Sequence, residues 1–395
     1  MARHHTPLQR RLDLKPIAFN ATKSVVGANP LLRRLTGFFP DFGWPARAEI
    51  VHDSRHDFAL FQPRYEAART QLSANVDTLD HDSMHEDLGS ARRVCARIRN
   101  VLIPGHTITP VDPDTGKQIL FDRVSDSRWH FAHPAFVALS RRRLKGTVAV
   151  IPPYKHYGHL LTDILMPLGF ALRQGTLAKG ETLTIVTGTL VLPFIKIFIE
   201  GLRSNGFVVE HTVARPFETL VADSFLYART HTRNVEHLFA TPEAIGFLRN
   251  CFTSLGDTRE PGEPRRCLYL TRGRTRLRQV ENEERLIQEL AHRNFKIFEA
   301  SWANHRDQIR LFSEADVIVG IHGAGLSNVL WAKPSAHLIE IMSDNGRKTT
   351  GLHWAAEVGI SYTPVFGSEE WGKQAFRIEV GQVLSVLDHA LEEGA

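Results

Sequence analysis

A segment near position 160 carries side chains that could take a proton from a substrate hydroxyl. His156, His159 and Asp163 stand at positions i, i+3 and i+7, so a helix would place all three on one face. A histidine or carboxylate placed in this way can act as a general base. The trio also resembles half of a metal site, but the i, i+4 histidine pair of zinc proteases, with its intervening glutamate, is absent. A histidine satisfied by the helix backbone is the alternative without a catalytic role.

A second segment places four arginines directly after a predicted strand. They are Arg272, Arg274, Arg276 and Arg278. The guanidinium group is planar, keeps its charge and binds phosphate through two parallel hydrogen bonds. Arg272 is nearest the strand end, so we predict that it binds a phosphate, whereas Arg276 and Arg278 fit a solvated basic loop better. Glu283, or Asn282 before it, is expected to cap the helix that follows.

A glycine-rich turn between two predicted strands is the third candidate site. His322, Gly323, Ala324 and Gly325 follow a strand at 316–321 and precede a short helix at 326–332 and a second strand at 336–341. Open parallel sheets bind ligands at such strand ends, and the N–H groups of a helix start attract anions. The motif is neither the dinucleotide fingerprint nor a Walker loop, so neither NAD nor ATP is indicated. A tight structural turn explains the glycines equally well.

Two polar residues accompany this turn. Asn328 falls in the first turn of the predicted helix, where its amide could reach a phosphate or a base. Glu340 falls within an apolar strand, and an acid is seldom buried without a partner. A ribose diol and a salt bridge to one of the arginines are the two partners that we consider for it.

The elements that must position these residues alternate between strand and helix. From residue 146 the pattern predicts strands at 148–152, at 183–186 and from 207, with helices from 157 and over 193–205. The second series has strands at 267–270 and 296–299 and helices at 282–293 and 306–314, before the glycine-rich turn. A helix at 242–255 lies within the predicted domain linker, between 225 and 265, and a closing helix at 380–393 could pack back across the first domain. We predict the α/β class, with two doubly wound, Rossmann-like halves that face a cleft.

Composition and charge restrict the class of protein. The chain has 395 residues, of which 43% are hydrophobic and 23% charged, as expected for a soluble protein of two domains. Its net charge of +5 fits anionic small molecules or a membrane surface better than a nucleic acid. Cys95, Cys251 and Cys267 lie far apart and indicate neither a disulfide framework nor a zinc site, and no run of about 18 apolar residues occurs. These features predict a cytoplasmic protein.

Two basic segments lie outside the candidate sites. Residues 1–50 carry eight Lys or Arg against three Asp or Glu and could lie on anionic lipid, although a partly disordered arm is the favoured alternative. The basic run at 141–145 is predicted to be a solvated turn. The interval 47–126 receives no assignment.

Three stretches together resemble glycosyltransferase family 61. They are HYGHLLTDILMPL from His156, LYLTRGRTRLRQVENEERLIQEL from Leu268 and DQIRLFSEADVIVGIHGAGLSNVLWAKPSAHLIEI from Asp307. The resemblance covers about 146–345 and is most specific at HGAGLSN. It implies a GT-B fold and inverting transfer from a nucleotide sugar, generally without an essential catalytic metal. The family includes bacterial capsular and lipopolysaccharide enzymes.

The resemblance also assigns roles by position. His159 and Asp163 match the GH…D element of the first domain, and Arg272 and Glu283 match the R…NE element. Many members have a second basic residue directly after the first arginine, whereas Gly273 stands here and Arg274 could substitute for it. The donor-side turn and strand are matched by Gly323, Gly325, Leu326, Asn328 and Glu340, to which we add His322 and Ala324 of the same turn.

We therefore predict an inverting glycosyltransferase with a nucleotide-sugar donor, expected to be a UDP-sugar, and a glycan or lipid-linked glycan acceptor. Capsule, lipopolysaccharide or exopolysaccharide synthesis in bacteria is the expected process, on the cytoplasmic face of the membrane. Residues 51–235 would form the acceptor domain and 236–395 the nucleotide-sugar domain. A sugar-nucleotide epimerase or phosphohydrolase on the same frame, or a nucleotide-binding protein without turnover, is the alternative.

The chemistry of inverting transfer decides the expected roles. We assign Asp163 as the base, assisted or oriented by His159, because the acceptor hydroxyl must lose a proton as the diphosphate leaves. Arg272, the turn at 322–325 and Asn328 are assigned to the diphosphate, whose charge must be stabilised where it develops. No Asp-x-Asp motif occurs in the second half, so we expect no cofactor and no essential metal, and no nucleic-acid partner is predicted.

Overall fold

The structure is a computed structural model of the chain. It describes residues 48–55, 92–105, 108–113, 119, 140–153, 157–189, 191–230, 241–252, 265–273, 278–301, 303–346, 348–369 and 375–393. The basic arm up to residue 47 lies outside the described residues, as do His156, Arg274 and Arg276 from the candidate sites.

The first half of the chain builds a six-stranded sheet of mixed pairing. Its strands are β1 (Ala48–Arg55), β2 (Arg92–Pro104), β3 (Arg141–Ile151), β4 (Thr182–Thr187), β5 (Val208–Val213) and β6 (Thr219–Thr230), in the spatial order β1-β2-β6-β3-β4-β5. The pairings of β3 with β6, of β3 with β4 and of β4 with β5 are parallel, whereas β2 pairs antiparallel with β1 and β6. The parallel series predicted for this half is confirmed for β3 to β5. The sequence pattern did not predict β6, nor the antiparallel strands that extend the sheet.

The basic run at 141–145 forms the start of β3, so its prediction as a solvated turn is wrong. Its arginine side chains are exposed, and acids on and beside β6 face two of them. Arg142 pairs with Glu218 at 2.9 Å and Arg143 with Asp223 at 2.5 Å. Opposite charges on neighbouring strands stabilise such pairing, which is why a strand can begin with three arginines.

The helices of the first half cover the parallel strands. A continuous helical run consists of α1 (Tyr157–His159), a π-helical stretch (Leu160–Leu165) and α2 (Met166–Arg173), and two further helices are α3 (Pro193–Ser204) and α4 (Pro242–Cys251). Proline begins both α3 and α4, where its missing N–H group costs no hydrogen bond. Gly206, in the left-handed region at φ 86°, follows the end of α3 as predicted.

The second half builds a seven-stranded sheet that is parallel apart from one pairing. Its strands are β7 (Cys267–Thr271), β8 (Gln279–Val280), β9 (Lys296–Glu299), β10 (Val317–Ile321), β11 (His337–Ser343), β12 (Ser361–Glu369) and β13 (Ala375–Arg377), in the order β8-β13-β12-β11-β10-β7-β9. Only β12 and β13 pair antiparallel among the described strands of this sheet. All of β10 and nearly all of β11 are buried, as their continuous apolar sequences predict.

The helices of the second half are α5 (Glu283–His292), α6 (His305–Glu314), a 3-10 helix (Ala324–Trp331), α7 (Thr350–Val358) and α8 (Val380–Glu393). The strand, turn, helix and strand predicted around the glycine-rich turn are confirmed, although the helix is 3-10. The closing helix α8 does not pack across the first half: Val383 and Leu387 lie in the apolar cluster of the second sheet. No helix in the described ranges is long and apolar enough to cross a bilayer.

One apolar core joins the two halves. Tyr157 and Phe194 from the first half share a buried cluster with Phe252 and with Trp331 at the end of the 3-10 helix. The ring of Phe252 lies 4.7 Å from that of Phe194 and 5.1 Å from that of Trp331. Arg249 of α4 donates hydrogen bonds of 2.7 and 2.6 Å to carbonyl oxygens at the end of the 3-10 helix. Helix α4 lies within the predicted linker and contacts both halves, so its contacts do not assign it to one domain. The domain boundary between 225 and 265 stays a prediction.

Candidate active site

The helical run after β3 holds the two residues predicted to handle the proton. Nδ1 of His159 lies 2.5 Å from Oδ2 of Asp163, and the Thr162 hydroxyl donates to Oδ1 of Asp163 at 2.9 Å. The side chains of His159 and Asp163 are 15% and 11% exposed. A ring N–H that donates to a carboxylate fixes the orientation and tautomer of the imidazole. The two side chains therefore form one acid–base unit at the surface of the helix.

A π-helical turn contains Asp163 and begins directly after His159. The stretch Leu160–Leu165 ends with the Met166 N–H group bonded to the Leu161 carbonyl, five residues back. Pro167 follows at once and cannot donate to the helix ladder. The widened turn thus falls where proline would interrupt an α-helix, and such turns are frequent at functional sites. The sequence predicted one helical face here but not this local geometry.

Asn328 joins the helix after β3 to the 3-10 helix instead of facing a ligand. The Tyr157 hydroxyl donates to its Oδ1 at 2.8 Å, and its Nδ2 donates to Gln308 Oε1 and to the Gly325 carbonyl, both at 2.8 Å. The residue is 0% exposed. Both ends of this amide are thus bonded to protein groups, and its contact with a phosphate or a base stays a prediction. Burial raises the pKa of Tyr157, which keeps its hydroxyl a neutral donor.

Arg272 lies directly against the glycine-rich turn. Its Nη1 donates to the His322 carbonyl at 2.7 Å. A Cβ atom on Gly323 would lie 1.6 Å from the same nitrogen, so the missing side chain is what lets the guanidinium approach. Burial lowers the pKa of Arg272, the nearby Arg278 lowers it further, and Glu283 opposes both. An arginine stays protonated in spite of such shifts, so this is a fixed cation at the carboxyl ends of β7 and β10.

Glu283 ties the start of α5 to the end of β7. Its Oε1 accepts hydrogen bonds from the Tyr269 hydroxyl at 2.9 Å and from the Thr271 hydroxyl at 2.7 Å. A carboxylate is favoured in the first turn of a helix by the exposed N–H groups there. Asn282 does not cap α5 with its side chain, since its amide exchanges two hydrogen bonds with the backbone of Ile378. Both residues hold the frame around Arg272.

Glu340 finds its partners within the second sheet. His322 Nδ1 lies 2.7 Å from Oε1, and the Tyr362 hydroxyl donates to Oε2 at 2.7 Å. Glu340 is 1% exposed, and a Cβ atom on Gly351 would lie 2.1 Å from Oε2, so α7 closes over the carboxylate. This acid has no open face for a ribose diol, and its observed partners are neither of the two considered from the sequence. Its effect is to orient the His322 ring.

The residues matched by position to the donor-side turn therefore divide into two groups. His322, Gly323, Ala324 and Gly325 are each partly exposed at the strand end. Leu326 is 1% exposed and, like Asn328 and Glu340, is buried in the structure. Only the turn at 322–325 has surface that a donor can touch, and the three buried residues support it from behind.

A cavity of about 360 Å³ lies beside this turn, at the carboxyl ends of β10 and β11. Its floor is apolar and consists of Ile321, Ile341, Met342 and Phe376. Its rim is polar and consists of Arg278, His322, Ser343, Asn345, Gly346, Lys348 and Glu369. Arg278, interpreted from the sequence as part of a solvated loop, is exposed and also lines the cavity. The sequence did not indicate Lys348 or Glu369, although the turn sequence after β11, Asp-Asn-Gly, marks a loop at a strand end.

The comparison with protein families bears on this geometry. Residues 157–339 match the family model described as Glycosyltransferase 61. These residues are a glycosyltransferase family 61 domain. No curated protein sequence gives a significant match to the chain. The chain is therefore a glycosyltransferase, which decides against the epimerase, phosphohydrolase and non-catalytic alternatives.

Within this glycosyltransferase, the family 61 domain covers only part of the candidate site. It contains the His159–Asp163 pair, Arg272 and the glycine-rich turn. The match ends inside β11, so Glu340 and most of the cavity rim, including Lys348 and Glu369, lie beyond it. The family match therefore does not cover most of the cavity, which is defined by the structure.

Proposed function

We propose that this glycosyltransferase moves a sugar from a nucleotide-sugar donor to a glycan hydroxyl, with inversion at the anomeric carbon. The position of Arg272 supports a nucleotide-sugar donor. Its side chain donates to the His322 carbonyl at 2.7 Å, beside a cavity that has further cations on its rim. Fixed guanidinium groups at the carboxyl ends of parallel strands suit a diphosphate. A UDP-sugar is the donor that we propose.

The acceptor proton passes to the unit formed by His159 and Asp163. As the acceptor oxygen loses this proton, it bonds to the anomeric carbon, and the bond from that carbon to the diphosphate oxygen breaks. The electron pair leaves with the nucleoside diphosphate. Arg272 and the backbone N–H groups of the turn at 322–325 stabilise the charge that develops there.

We further propose that arginine and backbone N–H groups take the place of a divalent metal at the diphosphate. Arg272 and Arg278 are close enough for their charges to interact, which concentrates positive charge next to the turn. Such a site binds phosphate without a metal.

The acceptor and the cellular setting belong to the same proposal. We propose a GT-B arrangement in which 51–235 bind the acceptor and 236–395 bind the donor. We also propose a bacterial capsule, lipopolysaccharide or exopolysaccharide acceptor, on the cytoplasmic face of the membrane. The three cysteines are free thiols, and burial raises the pKa of Cys95 and Cys251 to about 12, so both stay protonated and unreactive at neutral pH.

A panel of UDP-, GDP- and CMP-sugars, each with and without glycan acceptors, tests the proposal. We expect one donor to be consumed much faster with an acceptor, with slow hydrolysis alone. Nuclear magnetic resonance of the product should show the anomeric configuration opposite to that of the donor. Retention of configuration would overturn the inverting mechanism, and full-rate donor turnover that no acceptor accelerates would overturn transfer to a glycan.

A further inference from the structure

We propose that the cavity at the carboxyl ends of β10 and β11 binds the nucleoside diphosphate part of the donor, with Glu369 accepting hydrogen bonds from the ribose hydroxyls. This inference rests on the proposed nucleotide-sugar donor and deepens it. The rim cations Arg278 and Lys348 would bind the phosphates. The apolar floor would face the base.

The volume and lining of the cavity fit such a ligand. Small-molecule sites typically have volumes of about 300–1,000 Å³ and are largely apolar, with a few polar groups that fix orientation. At about 360 Å³ this cavity lies at the lower end of that range. Its floor of Ile321, Ile341, Met342 and Phe376 offers a base an apolar surface. The polar groups all stand on the rim, where a ribose and phosphates would emerge.

Glu369 is held in place for a diol. The Ser343 hydroxyl donates to its Oε2, and its backbone N–H group donates to Asp344 Oδ1 at 3.2 Å. Glu369 is only partly buried and lines the cavity, unlike Glu340, which is 1% exposed. A carboxylate can accept hydrogen bonds from both hydroxyls of a ribose, as an acid at a strand end does in dinucleotide-binding folds. Glu369 at the end of β12 therefore takes the role for which the sequence suggested Glu340.

The cations of the rim indicate where the phosphates lie. Arg278 stands close enough to Arg272 for its charge to disfavour the protonated state of that residue. Glu283 offsets part of this repulsion, and an anion bound between the two guanidinium groups would offset more of it. Lys348 lies on the rim as well, on the loop after β11. The rim thus has cations for a diphosphate and one carboxylate for a diol, which matches the phosphate and ribose parts of a nucleoside diphosphate.

The test combines a change in the ligand with a change in the protein. Calorimetry first identifies which of UDP, GDP and CDP binds the wild type most tightly, and then compares it with its 2′,3′-dideoxy form. We expect the wild type to prefer the ribose form by roughly tenfold to hundredfold, because hydrogen bonds to a charged group are lost with the hydroxyls. In Glu369→Gln, which retains an acceptor for Ser343, this preference should fall at least fivefold. Glu379→Gln, an exposed glutamate outside the cavity lining, is the matched control and should keep the preference.

A second variant examines the phosphate end. Lys348→Ala should weaken binding of the nucleoside diphosphate by roughly tenfold and leave binding of the free nucleoside unchanged. If Glu369→Gln keeps the full preference for ribose, the nucleoside lies elsewhere and this inference fails, while tight binding by the wild type still supports the proposed donor. If no nucleoside diphosphate binds the wild type, the proposed function and the cavity assignment fall together. Should circular dichroism show that Glu369→Gln is unfolded, Ser343→Ala, which releases the carboxylate, must reduce the same preference or the inference fails.

Discussion

The helix after β3 and the strand ends of the second sheet supply chemistry to the proposed reaction in different ways. His159 and Asp163 lie four residues apart and touch at 2.5 Å within one helical run. Arg272 and His322 are fifty positions apart and touch at 2.7 Å only because β7 and β10 are parallel neighbours. The contact in the first region is local in sequence, whereas the contact in the second region depends on the register of a sheet. We therefore expect substitutions in the first region to act on chemistry and those in the second to act on donor affinity.

The largest expected effect comes from the local pair. Asp163→Asn keeps the shape of the side chain and an oxygen for His159, but removes the charge that supports proton transfer. We expect kcat to fall by about 10²–10⁴ while the affinity for the nucleoside diphosphate stays nearly unchanged. Steady-state kinetics together with calorimetry measures the two quantities.

A matched control for this variant is Asp223→Asn, whose acid pairs with Arg143 and lies outside the candidate site. It should keep kcat within about twofold, since exposed ion pairs contribute little. If Asp163→Asn abolished nucleotide binding instead of turnover, the donor and the base would have been assigned to the wrong regions.

The next effect concerns the fixed cation of the second region. Arg272→Ala removes a charge-assisted contact to phosphate, so affinity for the nucleoside diphosphate should weaken by about 1.5–3 kcal/mol, and kcat should fall as well. Gly323→Ala should act in the same direction, because the new Cβ would occupy the position of Nη1 and displace the guanidinium. Calorimetry measures the affinity of both variants for the nucleoside diphosphate. Wild-type affinity in Arg272→Ala would contradict the assignment of Arg272 to the diphosphate.

A smaller effect separates support from contact within the second region. Asn328→Ala leaves the buried Tyr157 hydroxyl and the Gln308 side chain without the partner shown here, so the free energy of unfolding should fall by about 1–3 kcal/mol. Nucleotide affinity of the folded variant should stay near that of the wild type. Asn345→Ala, on the cavity rim, should change stability by less than about 0.5 kcal/mol. Denaturant unfolding measures both, and an affinity loss without a stability loss in Asn328→Ala would restore direct contact with the donor.

The contrast between the regions also explains how far the sequence could predict the structure. Continuous apolar runs predicted β10 and β11, and spacing placed His159 and Asp163 on one face, because both signals are local. The sequence could not show that Glu340 meets His322 and Tyr362, since those contacts depend on which strands become neighbours. The position alone made Asn328 and Glu340 resemble ligand contacts. In the structure both side chains are buried, and their contact with the donor stays a prediction.

The cavity is a second feature that the sequence could not predict. Its rim combines Arg278 before β8, His322 after β10, Lys348 after β11 and Glu369 at the end of β12. No single stretch of sequence contains two of these residues close together, so no motif marks the site. The sheet order brings the four segments to one edge, and that order is not readable from periodicity.

The smallest expected effect is that of metal removal, which tests whether the second region can act through its cations alone. If Arg272, its neighbouring arginine and the backbone N–H groups of the turn stabilise the leaving diphosphate, EDTA should reduce the transfer rate less than tenfold. The measurement compares initial rates of dialysed enzyme with EDTA, with Mg²⁺ and with Mn²⁺ at one donor concentration. Loss of nearly all activity, restored by either ion, would mean that a divalent cation carries the charge stabilisation assigned here to the guanidinium groups. In that case the His159–Asp163 pair would become a candidate for metal ligation, and the division between a proton-handling region and a cationic region would no longer hold.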